Sequence, residues 1–114
     1  MSATTNHDHM VKLTAEEARL VAQALAYRYG TQYDVDAPVN GWLLDLLPRF
    51  TGPTAQRDGL HVSVLGDHAR TIRRSLAIYV MAETTPPIPA GWLRAADDLW
   101  GRLIDAYRPF RDQD

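Results

Sequence analysis

Residues 60–82 read LHVSVLGDHARTIRRSLAIYVMA, and the periodicity assigned to this stretch decides the fold. Leu60, Val62 and Val64 alternate with His61 and Ser63, the pattern of a half-buried strand. Leu65, Ala69, Ile72, Leu76, Tyr79 and Val80 lie instead along one side of a helix. A strand needs a partner for its backbone, and no second convincing strand appears nearby. The reading therefore favours a helix over about 63–83, capped by Ser63 and tolerating Gly66 in its first turn. A short strand over 60–65, paired across a dimer, is the alternative.

On the C-terminal side, Pro86, Pro87 and Pro89 cannot continue that helix and form a stiff connection. Trp92, Leu93, Ala96, Leu99, Trp100, Leu103, Ile104 and Tyr107 then give the cleanest helical stripe in the chain, predicting a helix over about 89–108 that Pro109 ends. On the N-terminal side, Thr51 to Gly59 is the clearest breaker segment. Before it, Trp42, Leu43, Leu46 and Leu47 form the apolar stripe of a short helix over about 39–50, limited by Pro48. Thr31 to Ala37, with Asp34 and Asp36, reads as a loop.

The first helix is expected over about 14–29. Thr14 and Glu17 make a capping box, Leu20, Val21, Ala24, Leu25 and Arg28 follow one face, and Gly30 stops it. Met1 to Met10 has almost nothing to bury and reads as a flexible tail. These elements predict a mostly α-helical four-helix domain over 11–110, its core made by the first, third and fourth helices and capped by the short second one.

The 114-residue length suits one domain, and a hydrophobic share of 46% with 23% charged residues is globular. The lack of cysteine excludes disulfides, thiolate metal sites and cysteine nucleophiles. No apolar run is long enough to cross a bilayer and no secretory signal opens the chain, so a cytoplasmic protein without membrane contact is expected. A net charge of −2 weighs against a general nucleic-acid coat protein.

No phosphate cradle, dinucleotide fingerprint, nucleophile elbow or paired-histidine zinc helix is present. The expectation is therefore a non-enzymatic protein, with no catalytic residue, cofactor, metal site or small-molecule ligand. His7, Asp8 and His9 lack a fixed scaffold, and His61 and His68, two helical turns apart, cannot share one ion. Asp97, Asp98 and Asp105 read as a solvated face, with Arg94 and Arg102 each four residues from Asp98.

Two clusters point to binding. The run Leu76 to Ala82 is apolar all round and needs cover from several sides, which marks Ala77, Ile78 and Met81 as interface residues. Trp42 and Trp92, beside loops at helix starts, join them, while Trp100 reads as a core residue. Arg70, Arg73 and Arg74, with Arg49 and Arg57 upstream, lie off the apolar side and can hold acidic groups bidentately. The leading expectation is a protein-protein interaction or regulatory module whose partner includes a second copy of itself. The alternative is a small DNA-binding regulator using Arg70, Arg73 and Arg74.

Overall fold

The computed structural model describes residues 9–32 and 37–113 and is mostly helical. Strand β1 (Met10–Leu13) is followed by helices α1 (Ala15–Gln32), α2 (Ala37–Thr51) and α3 (Pro53–Asp58). Strand β2 (Leu60–Ser63), helices α4 (Asp67–Val80) and α5 (Ala90–Tyr107), and a 3₁₀ helix over Arg108–Gln113 complete it.

The reading of residues 60–82 divides at Gly66. Leu60–Ser63 is a strand, and its antiparallel partner is Met10–Leu13 of the same chain, in the register Val11 to Val62 and Leu13 to Leu60. The Val64 N–H donates to the His9 carbonyl at 2.8 Å and extends the ribbon. The expected tail boundary at Met10 and the expected helix start at Ser63 are both corrected here. Ser63 Oγ accepts instead from the Leu65 N–H, 3.0 Å away, in a local turn. Met1 to Asp8, with most of the expected tail, lie outside the described residues, as do positions 33–36 with Asp34 and Asp36.

The Thr14 and Glu17 capping box forms as the sequence indicates. The Thr14 N–H donates to Glu17 Oε1 at 2.9 Å and the Glu17 N–H to Thr14 Oγ1 at 3.1 Å, satisfying two orphan donors of the first turn. Gly30 does not stop α1, which runs to Gln32. Nor does Pro48 end α2. Leu44 and Pro48 both face outward, so the hydrogen bond that proline removes lies on the wet side of the helix.

Within the expected breaker segment Pro53 starts the short helix α3, which is tied to the helices before it. Gln56 Nε2 donates to the Phe50 carbonyl at 2.6 Å, and Arg19 Nη1 of α1 donates to the Gln56 carbonyl at 2.7 Å. Gly59 then turns the chain into β2 at φ +80, where an added Cβ would sit 2.0 Å from the Leu13 carbonyl oxygen. Only glycine fits there.

The core gathers on α1, which packs against α2, α3, α4 and α5. Ala18, Val21, Ala24 and Leu25 of α1 are fully enclosed, and the small residues let neighbouring helices approach closely. Helix α2, expected to be a short cap, is longer than α4 and more than a cap: Leu43, Leu46 and Phe50 are among the largest fully buried side chains. Leu76 of α4 and Leu99 of α5 close the far side. No helix among the described residues is long and apolar enough to cross a membrane.

Candidate functional site

The outer face of α4 is the candidate site, because burial of its Ala69, Ile72, Leu76 and Tyr79 turns Arg70, Arg74 and Met81 outward. An open cleft of about 510 Å³ crosses this face. Arg28 of α1 and Trp42 of α2 line it on one side, Trp100 of α5 on the other, and Arg70, Arg73, Arg74 and Ala77 belong to α4 itself. Among the described residues that line it are four guanidiniums and the Asp67 carboxylate.

The arginines differ in what holds them. Arg70 pairs with Asp67 one turn earlier on α4. Arg28 Nη1 donates to the fully buried Ser75 Oγ at 3.3 Å, which links α1 to α4. Arg73, expected to face water or a partner, is only 8% exposed. Its Nη1 donates to the Val64 carbonyl at 2.8 Å, and its guanidinium carbon lies 4.1 Å from the Tyr107 ring centroid. It is a clamp joining the exit of β2 to α4 and α5. Arg74 is exposed. Arg49 and Arg57 do not line the cleft: Arg57 pairs with Asp58 at 3.1 Å, and Arg49 lines a separate cavity beside His68.

Trp42 and Ala77 thus join the arginines, whereas Trp92 does not. It lines another cavity, of about 350 Å³, with Glu16, Glu17 and Arg19. Trp100, read as a core residue, packs on the core and lines the cleft as well. Arg28 was legible only as a helix-face residue, since nothing in its spacing announces that α4 lies beside it. At the end of α4, Ile78 is half-buried and outside the core cluster, and Met81 is 73% exposed. Leu44 at 52% is the other exposed large hydrophobic residue among the described ones.

The histidines stay apart. His61 is exposed on β2 rather than on a helix, and His68 Nε2 lies 3.6 Å from Asp45 Oδ2 on α2. His9 meets the edge of Phe110 at 6.4 Å between centroids. Among the described residues no group of three His, Asp or Glu side chains could hold a metal ion.

The acidic face of α5 is exposed, but its expected pairing is corrected. Arg102 reaches across to Glu17 of α1, not to Asp98, and Asp105 pairs with Arg108 at 3.5 Å. Burial acts to raise the Glu17 carboxyl, yet the Thr14 backbone hydrogen bond and Arg102 outweigh it and hold the group below its ordinary value of 4.5. Burial alone pushes the Tyr79 phenol up.

No protein-family model, curated protein or solved structure matches this chain.

Proposed function

We propose that this protein is a non-enzymatic interaction module that associates with itself through the outer face of α4. The observation that supports it most is Met81, 73% exposed one helical turn beyond Ala77 of the cleft, with Ile78 beside it and outside the core cluster. Burying such apolar side chains against another chain contributes about 1.5–3 kcal/mol for each that becomes fully enclosed. The adjoining arginines give that contact direction, since charged rims select partners and set orientation. Trp42 and Trp100 supply aromatic area at the same cleft.

Light scattering on the native protein and on Ile78→Asp and Met81→Asp tests this directly. The native protein is expected to have the mass of an oligomer and the two variants that of a monomer, with helical content unchanged because both side chains lie outside the core. A native protein that stays monomeric at high concentration refutes the proposal.

A further inference from the structure

The self-association proposed above also has a geometry, read from the order of charge along α4 and α5. The two helices pack side by side, and the Arg73 guanidinium in the first half of α4 lies over the ring of Tyr107, the last residue of α5. They therefore run antiparallel. Arg70, Arg74, the half-buried Ala77 and, just past the end of α4, Met81 follow one outward stripe at spacings of four, three and four. Leu93, Asp97, Trp100 and Ile104 follow a stripe of α5 with the same spacings. Leu93 and Ile104 are half-buried yet outside the core cluster, as Ala77 is, so the face between the stripes has apolar area to bury.

Ala77 and Trp100 line the same cleft, which runs along α4 from Asp67 to Ala77. Arg74 precedes Ala77 by three residues and Asp97 precedes Trp100 by three, about 4.5 Å along each axis. Because the helices are antiparallel, those displacements have opposite sense. Arg74 and Asp97 therefore sit at the two ends of a diagonal across the α4–α5 face. Both are exposed, and neither makes a hydrogen bond or ion pair among the described residues.

We infer that a second copy of this chain docks on the α4–α5 face about a two-fold axis that crosses the Arg74 to Asp97 diagonal at its midpoint. Rotation about that axis exchanges the two ends of the diagonal. Each Arg74 then meets Asp97 of the other copy, twice per dimer, as an isologous interface requires. The small side chain of Ala77 admits close approach on this face.

This inference rests on the self-association proposed above, and a charge swap separates the two. Arg74→Glu alone sets carboxylate against carboxylate in both contacts, and Asp97→Arg alone sets guanidinium against guanidinium. Each variant is expected to dissociate with a Kd at least about tenfold above native. An equimolar mixture of the two restores attraction in both contacts, one pair in the native sense and one reversed, so sedimentation equilibrium should show a heterodimer of near-native Kd. Arg74→Asp and Asp97→Lys provide the same swap should either reversal lower the helical content by circular dichroism. A native dimer whose variants associate normally, or whose mixture is no tighter than either variant alone, overturns this pairing and leaves self-association standing. A native monomer overturns both.

Discussion

Arg73 and Arg74 are neighbours on one helix and have opposite surroundings. Arg73 bonds the carbonyl of Val64, a residue only 1% exposed, so its removal strands a buried acceptor and loses the contact with Tyr107. Arg73→Ala is expected to lower unfolding free energy by about 1–3 kcal/mol in urea titrations, combining the orphaned carbonyl with the lost cation–π contact. Arg74→Ala should change it by less than about 0.5 kcal/mol, measured well below the concentration of association. Equal losses would contradict the clamp assigned to Arg73. Periodicity could not separate them. Arg73 lies at the margin of the buried stripe set by Ile72 and Leu76, and only the approach of α5 turns that margin inward. The same reasoning explains Trp100, whose large ring can be both core filler and cleft wall.

At the scale of elements, the capping box of α1 was written in four adjacent residues and formed unchanged. Its carboxylate also ties α1 to α5 through Arg102. Glu17 titrates below its ordinary value in the folded chain, so the ionised form favours folding. That contribution is full at pH values above about 4.5, shrinks as pH falls, and is gone once the folded-state pKa has been passed. Glu17→Gln should therefore be less stable than native near pH 7, with the two converging as pH drops through the carboxylate range. Thermal unfolding across pH checks this, and a gap independent of pH would remove the electrostatic explanation. Helices α1, α4 and α5 were legible because their apolar residues repeat over several turns. The ribbon was legible only at its second strand, since Met10 to Leu13 has only four residues and its partner lies beyond three intervening helices. Helix α3 was hidden for another reason. Its glycine and proline flanks read as a break, while the contacts that hold it come from Phe50 and Arg19.

For the molecule as a whole, the sign of the field decides between an acidic surface and nucleic acid as what meets the arginines. A net charge of −2 repels a polyanion at long range, although the cleft attracts one nearby. With Arg73 buried, the DNA-binding alternative draws mainly on Arg70 and Arg74. Fluorescence titration with mixed duplex DNA is expected to show no binding at physiological salt. Salt-sensitive binding lost in Arg70→Ala and Arg74→Ala would favour that alternative instead. The sequence showed which residues could associate but not that Arg28, Trp42 and Arg74 share one cleft with Trp100, because their meeting depends on how four helices dock.

The pairing of Met10–Leu13 with Leu60–Ser63 also sets an order of assembly. As the chain leaves the ribosome, its first strand must wait for about fifty further residues before its complement emerges. The helices between them can condense meanwhile through nearby contacts, while closing the ribbon carries the entropy cost of a long loop. The Met10–Leu13 strand is thus expected to be stitched in late, like a clasp fastened around an already gathered bundle.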